Sequence, residues 1–348
     1  MNVRICALLF LFWAGCANAQ GFANLGTDAD GYAVPDPAYR FEFPKDHGPH
    51  PDFRIEWWYV TATLSGADGK DYGVQWTLFR SAIAADGPED GWESRQIWMG
   101  HAGLTTPDQH FVAERFARGG IGQAGVVADP FEAWIDEWQL RGPDFDSLNM
   151  TAQGSDFAFS LDLSATGPLV PQGKNGYSVK SSAGQASHYY SQPFYTVTGR
   201  LDLPSGPVDV SGNAWLDREW SSQPLSESQT GWDWFSLSMN DGARLMGFRL
   251  RDNRAPAYTS ATWIAPDGTP FPYDDGAFRA EPLDVVDVAG RSVPTRWRVT
   301  LADRDLDVTV DALNDQAWMA TAFSYWEGPV RFDGTHQGRG YLEMTGYE

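Results

Sequence analysis

Tyr72-Gly73-Val74-Gln75-Trp76-Thr77-Leu78 sets Tyr72, Val74, Trp76 and Leu78 at every second position, with Gly73, Gln75 and Thr77 between them. Successive side chains of an extended chain point to opposite faces, so this spacing predicts a strand with one buried face. The same period recurs at Phe157, Phe159, Leu161 and Leu163, at Trp297, Val299 and Leu301, and at Leu306, Val308, Val310 and Ala312. Asp68-Gly69, Asp241-Gly242 and Asp267-Gly268 are tight-turn dipeptides, and the chain carries 36 Gly and 22 Pro to punctuate its strands. Helical spacing is scarce. Residues 108–118 could form a short helix closed by Gly119-Gly120. Many antiparallel strands with few helices mean sandwiches or barrels.

Working outward, the stretch is the second arm of a hairpin whose first arm is Trp57-Trp58-Tyr59-Val60-Thr61-Ala62-Thr63-Leu64. A second hairpin repeats the plan. It runs from Asp233-Trp234-Phe235-Ser236-Leu237-Ser238-Met239 through Asp241-Gly242 to Leu245-Met246-Gly247-Phe248-Arg249-Leu250-Arg251. Both open on tandem aromatics and close on arginine, Arg80 in the first and Arg251 in the second. Any two amphipathic hairpins share some of this pattern, but a true repeat predicts two similar β-domains, residues 20–192 and 193–348.

Residues 1–19 read as a signal peptide. Arg4 supplies the positive start, residues 5–14 a short apolar run, and Ala17-Asn18-Ala19 a cleavage signal. The expectation is a periplasmic or secreted chain with no transmembrane span after cleavage. Trp13-Ala14-Gly15-Cys16 also resembles a lipobox, which would make Cys16 the lipidated end of an outer-membrane lipoprotein. Both cysteines, Cys6 and Cys16, lie in this leader, so cleavage after Ala19 leaves no disulfide, thiol nucleophile or thiolate metal site. The remaining 329 residues (348 minus 19) are enough to bury a core without such staples.

The formal net charge is −21. An acidic surface of that size repels nucleic acid and anionic headgroups. Hydrophobic content of 42% excludes disorder as the main state. The chain also holds 16 Trp, 20 Phe and 13 Tyr, enough rings either to build cores or to line a pocket for a flat or long apolar ligand.

Ordered blocks along the chain carry a family resemblance. Phe43-Pro44-Lys45-Asp46-His47-Gly48-Pro49-His50 comes first, then Arg54-Ile55-Glu56-Trp57-Trp58-Tyr59-Val60-Thr61. Tyr189-Tyr190-Ser191-Gln192-Pro193 and Ala214-Trp215-Leu216-Asp217-Arg218-Glu219-Trp220-Ser221-Ser222 follow. Gly231-Trp232-Asp233-Trp234-Phe235 and Gly340-Tyr341-Leu342-Glu343-Met344-Thr345-Gly346-Tyr347 complete the series. In this order they resemble the AttH-like and carotenoid 1,2-hydratase family. The resemblance implies two tandem lipocalin-like antiparallel β-barrels packed together. It implies either a hydratase-like enzyme (a hydro-lyase) acting on an isoprenoid or polyene, or a non-catalytic lipid-binding protein serving an ABC-type export system. The chain departs from the hydratases at Arg218, where they carry His, while Trp220 is retained; their Tyr-x-Asp element has no clear match around residues 248–252.

Adding water to an isolated alkene needs a proton delivered to carbon and water captured by the resulting cation. The acid must be kept neutral by burial, and aromatic faces stabilise the cation. Asp217 and Glu219 are the candidate catalytic carboxyls; Trp220, Trp232, Trp234, Trp58 and Tyr59 are the candidate substrate-binding rings. Arg218 cannot shuttle protons near neutral pH. The same Asp-Arg-Glu run also reads as an ion-pair network closing a barrel mouth or joining two domains. A third reading notes that Asp217 and Glu219 on one strand face would stand ~6.6 Å apart, near the spacing of inverting glycosidases. His47 and His50 frame a Gly-Pro turn without a third ligand at a telling spacing. Ser191 and Ser221 lack a nucleophile-elbow context, and no phosphate-loop or dinucleotide fingerprint is present, so no cofactor is expected.

Overall fold

The alternation around Trp76 becomes the second strand of a long ladder in the computed structural model, which describes residues 29–347. The expected leader and both cysteines lie outside the described residues. The first sheet is built from β1 (Ile55–Gly66), β2 (Asp71–Ala82), β3 (Gln96–Thr105), β4 (His110–Arg118), β5 (Ala124–Ala128), β6 (Phe131–Ile135), β7 (Trp138–Asp144), β8 (Ser147–Gln153), β9 (Ala158–Ala165), β10 (Val170–Pro171), β11 (Tyr177–Val179), β12 (Ala186–Leu203) and β13 (Gly206–Ser221). Its spatial order is β4-β3-β2-β1-β13-β12-β9-β8-β7-β6-β5, with β10 and β11 also on β12. It curls into a nearly closed barrel, bringing β6 back against β2, β3 and β4.

The second sheet comprises β14 (Gln229–Met239), β15 (Arg244–Asp252), β16 (Tyr258–Ile264), β17 (Pro270–Tyr273), β18 (Phe278–Val288), β19 (Arg291–Leu301), β20 (Leu306–Ala312), β21 (Trp318–Met319), β22 (Tyr325–Gly334) and β23 (Gly338–Met344). Ordered β17-β16-β15-β14-β23-β22-β20-β19-β18, with β21 on β22, it forms a half-barrel. The all-β, lipocalin-type architecture expected from the sequence is therefore present. The two hairpins with similar plans are β1–β2 and β14–β15, both antiparallel pairs.

Two expectations meet a different local structure. Residues 110–118 form strand β4, not a helix, because β3 offers an unpaired edge and the ladder His101↔Glu114, Met99↔Phe116 satisfies their backbone groups. The expected division at 192/193 falls inside β12. The Gln192-Pro193 step there is a bulge, with the register shifting between Gln192 and Tyr195 where proline has no amide hydrogen for the ladder. The chain passes from one sheet to the other between Ser221 and Gln229.

Three apolar clusters follow. One fills the barrel around Trp58, Trp76, Trp138 and Trp220, and one fills the half-barrel around Phe235, Trp297 and Trp326. The third lies between the sheets and contains Tyr59, Tyr189, Trp215, Trp234, Phe248 and Tyr341. Gly73 lets the sheets meet: a Cβ there would stand 2.4 Å from Cγ of Pro329 on β22. This third cluster makes one wall of the cavity described next.

Candidate active site between the sheets

A cavity of about 770 Å³ opens between the barrel and the half-barrel. Strand alternation decides what faces it. On β13, Asp217 and Glu219 line the cavity, whereas Arg218 and Trp220 point into the barrel. On β1, Trp57 and Tyr59 line it, whereas Glu56 and Trp58 are buried in the barrel. The β1–β13 register sets Tyr59 opposite Asp217 and Trp57 opposite Glu219, so both acids share their wall with rings. The half-barrel contributes Trp232 and Trp234 from β14, Phe248 from β15 and Glu343 from β23.

Of the sequence-derived residues, the structure thus brings Asp217, Glu219, Tyr59, Trp232 and Trp234 together. Trp58 and Trp220 do not join them. Both are fully buried beneath the wall, where the Arg218 guanidinium lies 3.8 Å from the Trp58 ring centroid and 4.9 Å from that of Trp220. The reason is the period of two. At this end of the pair, odd-numbered Ile55, Trp57, Tyr59, Asp217 and Glu219 line the cavity, and even-numbered Trp58, Val60, Leu216 and Trp220 pack in the barrel core.

Asp217 is 2% exposed. Its Oδ1 accepts from Ser191 Oγ at 2.5 Å and Trp215 Nε1 at 2.6 Å, and its Oδ2 accepts from Tyr189 Oη at 2.6 Å. Burial outweighs these three donors, and with repulsion from Glu219 it pushes the carboxyl up to about 7. Glu219 is held by Lys180 Nζ at 2.8 Å and by the Ser187 hydroxyl. That anchoring leaves Asp217 and Glu219 as unlike partners and weighs against the glycosidase reading, which needs two carboxyls open to the substrate.

Of the Asp-Arg-Glu run, Arg218 alone enters an ion-pair network on the opposite face. Glu56 bridges Arg80 and Arg218 inside the barrel, and Arg218 Nη2 also donates to the Gly48 carbonyl at 2.6 Å. The strap carrying His47 and His50 closes over it. His50 stacks on Trp220 at 3.8 Å, and His47 stacks on Phe145 at 3.7 Å and meets the Tyr190 hydroxyl at 2.7 Å. Both imidazoles pack against rings, and His50 also meets Arg218 Nη2 at 2.9 Å and Asp46 Oδ1 at 3.3 Å.

Two further acids were not singled out from the sequence. Glu327 on β22 and Glu343 on β23 stand directly opposite each other in the ladder. Tyr59 Oη donates to Glu327 Oε1 at 2.5 Å, and Trp232 Nε1 donates to Glu343 Oε1 at 2.6 Å. Burial and the neighbouring Glu343 raise Glu327 well above the usual range; burial raises Glu343, which is open to the cavity, to about 7. A signal was available. Tyr325-Trp326-Glu327 and Tyr341-Leu342-Glu343 each place a lone acid in an aromatic strand.

Comparison with known proteins bears on the family and the fold. The family described as AttH-like matches residues 34–347. The chain belongs to the AttH-like family. A crystal structure described as an AttH protein, from Nitrosomonas europaea, shares 32% identity over 90% of this chain and 99% of that one, with a TM-score of 0.81. Kievitone hydratase from Nectria haematococca is similar over 90% of this chain and 95% of its own, with a TM-score of 0.67 at 13% identity, a likeness of fold. No curated protein sequence matches this AttH-like chain.

Proposed function

We propose that this AttH-like protein binds a neutral hydrophobic molecule with a carbon–carbon double bond between its sheets and adds water to it by acid catalysis. The observation that carries the reading is Asp217, a buried carboxyl at about 7 on the wall of an aromatic cavity. Near neutral pH such a group holds a proton in a substantial fraction of molecules and can release it to carbon. Tyr59, Trp232 and Trp234 present rings to the cation that would form. Kievitone hydratase supports the reaction class by its name and the fold it shares. The leader-like sequence of residues 1–19 favours export to the periplasm or beyond.

A carrier reading has one observation on its side. All three neighbours of Asp217 can donate to it, an arrangement that suits a structural carboxylate in a lipid carrier, for example one feeding an ABC-type export system. Mass spectrometry of an organic extract from gently purified protein separates the two. An isoprenoid or polyene together with its water adduct supports hydration, and Asp217→Asn should then abolish turnover while binding persists. Phospholipid or fatty acyl chains in the extract, or an Asp217→Asn protein with full turnover, would sink the hydratase reading.

A further inference from the structure

Lys180 is the one lysine among the described residues that line the cavity, with only 9% of its side chain exposed. It follows β11 directly, and its backbone is clamped from both sheets. The amide donates to the Gln185 carbonyl at 2.7 Å, on the barrel side. The carbonyl accepts at 2.8 Å from Nε2 of Gln229, the first residue of β14. The side chain ends between two rings and an acid. Nζ stands 4.4 Å from the Phe248 ring centroid, 4.9 Å from that of Tyr189 and 2.8 Å from Glu219 Oε1. Tyr189 ties this group to Asp217, since the ring beside the ammonium carries the hydroxyl that donates to Asp217 Oδ2 at 2.6 Å.

An ammonium carries three N–H donors and no acceptor. Among the described residues Glu219 alone accepts from Lys180 Nζ. The faces of Tyr189 and Phe248 stabilise the charge but offer no oxygen or nitrogen to the remaining donors. Those donors need water or a ligand. A pure hydrocarbon that filled the cavity would displace the water and strand them, which costs affinity. A ligand with an oxygen acceptor at this point keeps them satisfied. That acceptor is a neutral one. Glu219 already balances the charge of Lys180, and a carboxylate or phosphate set beside the pair would meet Glu219 as a like charge.

We propose that Lys180 anchors a neutral carbonyl or hydroxyl oxygen of the ligand, so that the cavity selects an oxygenated alkene over a bare hydrocarbon. The assignment rests on the reading that the cavity binds a neutral alkene, and it names the second functional group that this molecule carries. Lys180 grips Glu219, and Glu219 lies two residues from Asp217 on the same face of β13. A ligand held by its oxygen at Lys180 therefore has its chain placed beside the Asp217 carboxyl.

Two probes test this on the intact chain by equilibrium dialysis: geranylacetone, an unsaturated ketone, and the hydrocarbon with a methylene in place of its carbonyl. The quantity read is the ketone-to-hydrocarbon affinity ratio in wild type divided by the same ratio in Lys180→Met. This quotient cancels the different solubilities of the probes and any general damage to the cavity. It should reach about tenfold or more, as a hydrogen bond from a charged donor gives. A quotient within about twofold of unity, as a purely structural Lys180–Glu219 pair would give, overturns the anchor. With a carboxylate in place of the acetyl group the quotient should fall below that of the ketone; a larger one overturns the neutral class. If Lys180→Met fails to fold, the infrared carbonyl band of isotope-labelled geranylacetone on wild type decides. A shift to lower frequency than in hexane supports the bond, and a hexane-like position overturns it. No turnover is measured, so an Asp217→Asn protein with full turnover would sink hydration and leave the anchor standing.

Discussion

The two faces of β1 and β13 hold acids at the same depth and treat them oppositely. Inside the barrel, Glu56 is fully buried between Arg80 and Arg218, which draw its carboxyl far below the usual range even though burial alone would raise it. On the cavity side, burial carries Asp217 and Glu343 up to about 7 with no arginine beside them. Asp233 on β14 stands between the two cases. Arg249 and Arg251 reach it from partly exposed positions, and burial still holds it above its ordinary value. Depth therefore does not set the charge of an acid here; a buried cation does. The barrel face is built to keep its carboxylate ionised, and the cavity lets Asp217 and Glu343 keep a proton.

Breaking the barrel side should have the largest effect. Glu56→Gln leaves Arg80 and Arg218 facing each other in the buried interior without the carboxylate that bridges them. The expected loss of stability is about 3–5 kcal/mol, read from denaturant unfolding at pH 7. A loss no larger than that of an exposed ion pair would show that water reaches these arginines, and the contrast between the faces would fall.

The pH dependence of stability sharpens the same contrast with a smaller signal. Asp217 holds its proton up to about 7 when folded and to about 3.8 when unfolded. Across that window the folded chain binds more protons, so stability falls as pH rises. Glu343 acts in the same direction between its ordinary value of 4.5 and about 7. Glu56 has the opposite sign: its contribution is present above 4.5 and is lost as pH falls below it. Asp217→Asn should flatten the alkaline limb by up to about 1.4 kcal/mol per pH unit and leave the acid limb intact. The amide oxygen can still accept from Trp215 and its nitrogen can donate to Tyr189, so the fold survives. An unchanged alkaline limb would mean that Asp217 is already ionised at pH 5.

The strands were legible because period two is local, whereas the lipocalin-type arrangement was implied by the family resemblance of the ordered blocks. Tyr72 to Leu78, Phe159 to Leu163, and Leu306 to Ala312 all lie in the strands their spacing implied. The cavity was legible only by halves. From Ala214 to Ser221 both faces of β13 are buried, so alternation gives two sets of side chains without saying which one meets the second sheet. Trp58 and Trp220 were assigned to the ligand, and Trp57 was passed over, for this reason alone. Glu327 and Glu343 were hidden differently. They become neighbours only through the β22–β23 register, a long-range pairing that a single strand pattern does not specify. The β4 segment shows the remaining limit: its spacing admitted a helix until the open edge of β3 claimed it.

The gentlest probe of the comparison is the indole of Trp232, which donates to Glu343 Oε1 at 2.6 Å from the half-barrel side. A donor to a carboxylate favours the ionised form, so it lowers the carboxyl that burial is raising. Trp232→Phe keeps most of the ring and removes only the N–H. The Glu343 titration midpoint should then rise by about one pH unit, seen as a shift of its infrared band. The midpoint of Asp217 should stay in place, because its own indole donor is Trp215. A parallel shift at both acids would show that the cavity tunes them as one unit through Glu219, which repels both Asp217 and Glu343. The two walls would then differ in which sheet supplies the donors, and no longer in the chemistry of the acids they hold.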